Sequence, residues 1–301
     1  MNTQKIKDLI NQIKTNLNNI EKELNETPQV VQVAPILSPA DEFEQLKNLL
    51  DSEEWPEAVL DFQIVDENSE EEKLDRAEGV VDILVQEDLE NKKFLDFGCG
   101  EGHMAKYASK DAAVSVGYDI VKSKKSKFTW EKLNEKLLLT TNFEKVKKEG
   151  PYDIVMIYDV LDHAENPVDV LNKAKSVLSE NGKIYLRTHP WCGRHGGHLY
   201  RIKNKAFVHV VFSDEELAKL NLVYEERNNK VKFPIAVYEG LIKESGLNIE
   251  SKDVENQDVE NFFEKNQLLS RRLKQVIGAE DGKVFPKFQM SQCFHDYVLK
   301  R

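Results

Sequence analysis

The sequence predicts an α/β fold in which a mostly parallel sheet carries helices on both faces, and three observations predict it. Between residues 94 and 188, short apolar runs alternate with segments of helical period, the pattern of strand, crossover and parallel strand. The first of these runs, at 94–97, breaks into three alternating glycines, Gly98, Gly100 and Gly102, where a helical pattern begins. Asp96 precedes the glycines, and a second acid, Asp119, ends the next apolar run 23 residues further on. In sheets of this kind ligands bind beyond the carboxyl ends of the strands, and all of these residues fall there.

A chain of 301 residues that is 40% hydrophobic can bury one full-sized core and still leave residues for an appendage. No run approaches the ~18 apolar residues of a membrane span, and the N-terminus lacks the apolar core of a signal peptide. Cys99, Cys192 and Cys293 are odd in number and far apart, which does not read as a disulfide framework. These observations predict a cytoplasmic protein with no membrane partner. The net charge is −11, and residues 41–92 hold 19 acids against 4 bases. Net acidity argues against a general nucleic-acid binder.

Ile6, Ile10, Ile13, Leu17, Ile20 and Leu24 follow one another at alternating spacings of four and three, a heptad seam. Leu at a with Ile at d favours trimers or tetramers, so residues 1–27 are expected to form a coiled-coil helix that assembles a homo-oligomer or docks on a partner. The alternative is an amphipathic helix folded back on its own domain. Pro28, Pro35 and Pro39 mark residues 28–39 as an extended linker, leaving 40–301 as the main domain.

Within it, helices are expected near 40–51 and 70–88, the second burying Leu74, Ala77, Val80, Val81, Leu84 and Val85 on one face. The acidity around them reads as a solvated face. Strands follow at 94–97, 114–119, 137–141, 153–158 and 182–188, with helices at 102–109, near 128–136 and at 167–179. Residues 189–235 leave the alternation and read as an insertion over the site. Ser213-Asp214-Glu215-Glu216 opens a helix at 214–220 with a capping-box pattern. A helix at 235–245 ended by Gly246, a strand near 247–253, a helical insert around 258–277 and a strand near 291–299 complete the chain.

The glycines make G-x-G-x-G. The dinucleotide fingerprint would need glycine at 103, where His103 stands, and the G-K-[ST] of a phosphate loop is missing as well. Glycine allows φ > 0 and close backbone approach to a ligand, and an acid at Asp119 can accept both hydroxyls of a ribose. With Asp96 and Asp119, this stretch resembles the first motifs of the class I S-adenosylmethionine-dependent methyltransferases, and the likeness runs through residues 75–190. The resemblance implies a Rossmann-like sheet of seven strands whose last strand, here resembled by 293–299, is antiparallel and inserted between its neighbours. It also implies S-adenosylmethionine as cofactor, held by Asp96, Phe97, Gly98, Cys99, Gly100, Gly102, Asp119, Ile120, Asn142, Phe143 and Tyr158. In that reading Asp119 takes the ribose, Asn142 and Phe143 the adenine, and Tyr158 and Asp159 face the methionine half. Cys99 reads as a small loop filler and His103 as a packed helix start.

Enzymes that methylate exocyclic base amines carry Asn or Asp before Pro-Pro-aromatic at the end of the fourth strand, and this chain has Tyr158-Asp159-Val160-Leu161. The run Asp159-Val160-Leu161-Asp162-His163 instead resembles the E-V-L-E-H motif of the small-molecule, ubiquinone-biosynthesis type O-methyltransferases, with both glutamates shortened to aspartate. In that group the acids and the histidine can hold a divalent ion. Here His163 can equally act as a general base or simply order the loop. Residues 187–205 contain five Arg/Lys and no acid. His189, Cys192, His195 and His198, spaced by three, suggest zinc but lack the longer separation of usual zinc modules. The preferred reading is an anionic or sugar-like acceptor clamped by Arg187, Arg194 or Arg201, with His195 beside it; the other is a packed loop anchored by Trp191. The expected catalytic set is His163, Asp159, Arg194 and His195, with no metal assigned. Two functions follow: a methyltransferase acting on a small molecule or a partner's side chain, or an adaptor subunit that keeps the fold and docks through its N-terminal helix.

Overall fold

The structure, a computed structural model, describes residues 38–59, 69–223, 235–256, 266, 268–269, 271–272 and 292–301. The chain divides into two units, residues 1–42 and 43–301. The expected coiled-coil helix lies outside the described residues, as does the linker up to residue 37. So does most of the expected insert at 258–277, where 268–269 and 271–272 are helical.

The elements in order are α1 (Pro39–Leu50), α2 (Glu70–Leu84), β1 (Lys93–Phe97), α3 (His103–Ala108), β2 (Val114–Tyr118), β3 (Leu137–Thr140), α4 (Phe143–Glu149), β4 (Tyr152–Tyr158), α5 (Pro167–Ser176), β5 (Leu178–Thr188), α6 (Val208–Val211), α7 (Asp214–Lys219), α8 (Ile235–Glu244), β6 (Asn248–Asn256) and β7 (Gln292–Lys300). The seven strands form one sheet in the order β3-β2-β1-β4-β5-β7-β6. The first five run parallel, and β7 lies antiparallel between β5 and β6, as the resemblance implied.

The central strands are apolar on both faces because both faces are covered. Leu95, Val116, Val155 and Ile184 join one core with Leu171 of α5 and Tyr238 and Ile242 of α8. Phe94, Ile154, Met156 and Tyr185, one residue out of phase, pack with Val81 and Leu84 of α2. The two-residue alternation thus divides each strand between two cores. A third apolar cluster stands apart from both: Leu46, Leu50 and Trp55 pack with Trp191, Ala206, Phe207, Phe212 and Leu217. Trp55 stacks on Phe212 at 6.0 Å and donates its indole N–H to the Ala206 carbonyl at 2.7 Å. α7 starts on the expected capping box, Ser213 with Glu216.

One predicted helix is replaced. Residues 128–136 form no helix; Trp130 bridges to Leu139 and Asn134 to Leu137. Glu131 and Glu135 take positive φ, 66° and 53°, and the Glu131 carboxylate accepts from Thr140 Oγ1 at 2.7 Å and from the Thr141 N–H at 2.7 Å. A side chain satisfied by the next strand outweighs a weak helical period. A helix comes instead after β3, α4, opened by Asn142, whose Oδ1 accepts from the Glu144 N–H at 2.9 Å. No helix among the described residues is long and apolar enough to cross a membrane.

Candidate active site

β1 ends beside the ends of β2 and β4, since Asp96 is paired with Gly117 and Met156. The chain then turns through Gly98 at φ 90°, Gly100 at φ 54° and Gly102 at φ 95°. A Cβ on Gly98 would stand 2.3 Å from Val160 Cγ2, whereas one on Gly100 would meet nothing within 4 Å. Gly98 is therefore required by packing against the β4 loop, and Gly100 by its backbone angle in open space. The N–H groups of Gly98 and Cys99 donate to the Tyr118 carbonyl at 2.7 and 3.0 Å. Asp119 Oδ2 accepts from the Gly100 N–H at 2.8 Å. The loop and the acid that ends β2 are thus locked together.

Asp96 is buried, and its Oδ2 has no hydrogen-bond partner. Burial, reinforced by the charge of Asp119 and opposed by the Ala105 N–H, raises its carboxyl to about 7. Phe97, Tyr118 and Phe143 meet edge to face at 5.1 to 6.2 Å, and beyond Asp119 the side chains of Ile120 and Val121 are exposed. Asn142 is exposed, but its Oδ1 is already engaged in capping α4. Cys99 is buried, with its thiol raised well above the ordinary value by burial. His103 lies 3.2 Å from Glu70 Oε2 and edge-on to Phe128. An orphaned buried carboxylate oxygen, an open space over Gly100 and exposed apolar side chains after Asp119 fit a cationic, nucleoside-bearing cofactor. Asp96 would face its ammonium group, Asp119 its ribose and Ile120 its base.

The acceptor end is built where β4 and β5 finish side by side, and the Asp159 N–H donates to the Arg187 carbonyl at 3.1 Å. Asp159 holds φ 51° without being glycine, a conformation that costs energy and is kept by its surroundings. Its Oδ1 lies 3.3 Å from His189 Nδ1. Three residues on, the buried Asp162 places Oδ2 at 3.1 Å from His163 Nε2, 3.3 Å from His198 Nε2 and 3.6 Å from His189 Nε2. Three imidazoles therefore converge on one carboxylate oxygen. Burial would raise Asp162, but the charge of His189 and the hydrogen bond of His198 overcome it and hold the acid below its usual range. His189, opposed by burial and favoured by Asp162 and Asp159, is raised to about 9. His198 is lowered to about 4, chiefly by burial. His195 is pushed well below 6.5 by burial and by the charge of His189, and it sits against Phe294 and 3.8 Å from Cys293 Sγ.

Two of the three arginines expected to clamp an acceptor, Arg187 and Arg194, have partners within the chain. Arg187 donates from Nε and Nη2 to Asp296 at 2.7 and 2.5 Å, because the antiparallel register sets the two opposite each other. Arg194 donates from Nε and Nη2 to the Glu57 carbonyl at 2.8 and 2.5 Å. Lys203 pairs with Asp51, and Lys205 donates to the carbonyls of Ser52 and Trp55. Most of the basic segment is thus matched to the chain's own 51–57 segment and to β7. Tyr158, expected at the methionine end, is half-buried with Arg187 over its ring at 5.9 Å.

The expected residues 96–102 and 119 come together, as do 159, 162, 163, 189 and 198; Cys192 turns instead into the apolar cluster around Trp55. The meeting of Asp162 with His189 and His198 was not read from the sequence. Its signal was there: parallel neighbours bring the residues just past β4 and β5 together, so an acid after one and histidines after the other must be neighbours.

Sheet order, glycine turn and paired acids define the class, a class I S-adenosylmethionine-dependent methyltransferase fold. The model of a methyltransferase domain family matches residues 69–252, so the chain belongs to that family. It is 27% identical over 120 residues to the ubiquinone biosynthesis O-methyltransferase of Vibrio campbellii, covering 38% of this chain and 47% of that one. It is 31% identical over 105 residues to the tRNA U34 carboxymethyltransferase of Pseudoalteromonas atlantica, covering 33% and 32%. Over these matches the chain spans half or less of the length of those relatives. A solved S-adenosylmethionine-dependent methyltransferase from Mesorhizobium loti is similar at TM-score 0.43 and 13% identity, covering 79% of this chain and 100% of that one.

Proposed function

We propose that the protein transfers the methyl group of S-adenosylmethionine to an oxygen of a small hydroxyl-bearing molecule or of a partner's side chain. The observation that carries this is the glycine turn locked to Asp119 beside the orphaned oxygen of Asp96, in a chain whose family is that of methyltransferases. The adaptor reading has no such support, because an idle fold requires neither the turn nor the paired acids.

The sulfonium of the cofactor supplies an electrophilic methyl carbon. The protein's task is then alignment and proton removal. Asp159, His163 and the 189–198 loop surround the place where an acceptor must lie in line with that methyl. His163, with Nε2 3.1 Å from Asp162 Oδ2, is the imidazole placed to take the acceptor's proton. The C–O bond forms as the S–C bond breaks, leaving S-adenosylhomocysteine, a methylated oxygen and a proton on His163. An anionic or sugar-like acceptor would compete with Asp296 and the Glu57 carbonyl for Arg187 and Arg194.

Titration calorimetry with S-adenosylhomocysteine tests the cofactor reading. Asp119→Ala is expected to weaken binding by roughly 1.5 to 3 kcal/mol, the worth of hydrogen bonds to a charged group; unchanged affinity would remove Asp119 from the cofactor. With an acceptor found by screening hydroxylated metabolites against labelled methyl donor, His163→Ala should lower turnover by ~10² to 10⁴ with cofactor affinity intact. Full turnover in that variant across neutral pH would leave His163 as a loop-ordering group.

A further inference from the structure

We propose that Asp162, His189 and His198 bind one divalent transition-metal ion of the zinc class at the acceptor end of the site. The donor set is two imidazole nitrogens and one carboxylate oxygen, from residues just past β4 and from the loop after β5, and the three atoms lie within 4.8 Å of one another. Two nitrogens and one oxygen suit zinc and its neighbours in the first transition row, whereas magnesium and calcium take oxygen. An ion with ~2.0 to 2.1 Å bonds in tetrahedral geometry holds its ligand atoms about 3.3 Å apart. Asp162 Oδ2 already stands 3.3 Å from His198 Nε2 and 3.6 Å from His189 Nε2, and the two nitrogens, within 4.8 Å of each other, would draw together on the ion.

The second observation is the unmet bonding capacity of the cluster. His189 and Asp162 are each 2% exposed, and His189 Nε2 and Asp162 Oδ1 have no hydrogen-bond partner. His189 Nε2 is itself one of the three donor atoms. Buried polar atoms are almost always paired, and a nitrogen aimed at a neighbouring carboxylate without bonding it is accounted for by an ion between them. The outer support is present as well, because Asp159 Oδ1 faces His189 Nδ1. That contact holds one ring proton on Nδ1, so an ion that displaces the proton on Nε2 meets an inward lone pair, the carboxylate–histidine–metal arrangement. Three protein ligands leave one position open, next to His163. A hydroxyl bound there would have its pKa lowered by a Lewis acid before methylation. That catalytic use rests on the methyltransferase reading; the binding of the ion does not.

The test uses the full chain without a histidine tag, stripped of metal and dialysed against zinc(II) or cobalt(II) alone. One equivalent per chain is expected by elemental analysis, with visible cobalt(II) absorption but no thiolate charge-transfer band. His189→Ala and His198→Ala should each lose at least ~100-fold in metal affinity, and Asp159→Asn, which touches no metal, ~10- to 100-fold. Cys293→Ser should take up the ion as the parent does. S-adenosylhomocysteine affinity, measured on every variant, reports folding and the cofactor reading separately. Uptake below a tenth of an equivalent in the parent chain would make the cluster an imidazolium–carboxylate pair and overturn the proposal. So would a thiolate band, or loss of uptake in Cys293→Ser, either of which would move the site to Cys293 and His195.

Discussion

A single carboxyl shows how far burial can set chemistry. Asp96 occupies a strand end on which the turn depends, and burial with the neighbouring Asp119 holds its carboxyl at about 7 against an ordinary 3.8. Between those values the unfolded chain has released the proton and the folded chain has not, so stability falls as pH rises from about 4 to 7 and stays lowered above it. Asp96→Asn should therefore stabilise the cofactor-free protein by roughly 2 to 4 kcal/mol at pH 8, with the gain vanishing towards pH 4. Urea unfolding at both pH values measures it, and an equal gain at both would mean that the carboxyl is not raised. The same variant should bind cofactor less well, since it lacks the charge that would meet an ammonium group. At this scale the sequence was legible where one residue type has one use. Gly98, at φ 90° and 2.3 Å from Val160 for any added Cβ, is such a position. Asn142 is not, because an amide that can read a base edge can equally cap a helix, and here its oxygen caps α4. The sequence points Arg187 and Arg194 at an acceptor because their partners, Asp296 and the Glu57 carbonyl, are 109 and 137 residues away in the chain.

Among the elements, strands were more legible than short helices. β1, β2 and β4 are buried nearly throughout, so continuous apolar runs gave them away, while the 7-residue α4 is too short to show a period. The false helix at 128–136 has apolar side chains, Phe128 and Trp130, that pack with Leu139 of β3 instead. The insertion after β5 was recognised by its broken alternation, but its partner was not: α1 and Trp55 build a separate apolar cluster with it. Trp55 is 1% exposed, so Trp55→Ala should cost about 3 to 5 kcal/mol. The loss should appear as faster amide exchange in residues 190–222, with β1, β4 and β5 keeping their protection. Exchange that rises equally in the sheet would mean that the two cores open as one unit. Loosening of this loop would also displace His189 and His198, so methyl transfer should fall further than cofactor affinity does.

For the whole molecule, the remaining question is assembly, and the sequence carries it. Ile6, Ile10, Ile13, Leu17, Ile20 and Leu24 repeat at heptad spacing, a seam that a lone helix would leave exposed to water. Three heptads are short for a self-standing coiled coil, so a helix over residues 1–27, if it forms as the sequence predicts, would need further copies of itself, a partner or its own domain to cover that seam. The chain from residue 43 onward is one compact unit with its own sheet and cores, so a chain shortened to begin at residue 38 should fold and bind S-adenosylhomocysteine as the full chain does. Light scattering on the two should then separate the cases. A full-length trimer or tetramer that becomes a monomer on shortening supports self-association through the Leu-at-a, Ile-at-d seam. Equal oligomeric states would reject it, and capture of a second protein by the full chain alone would assign the seam to docking. Replacing Ile13 and Ile20 by Asn in the full chain gives the same comparison without deletion: loss of assembly is expected, with the cofactor affinity of the sheet domain unchanged.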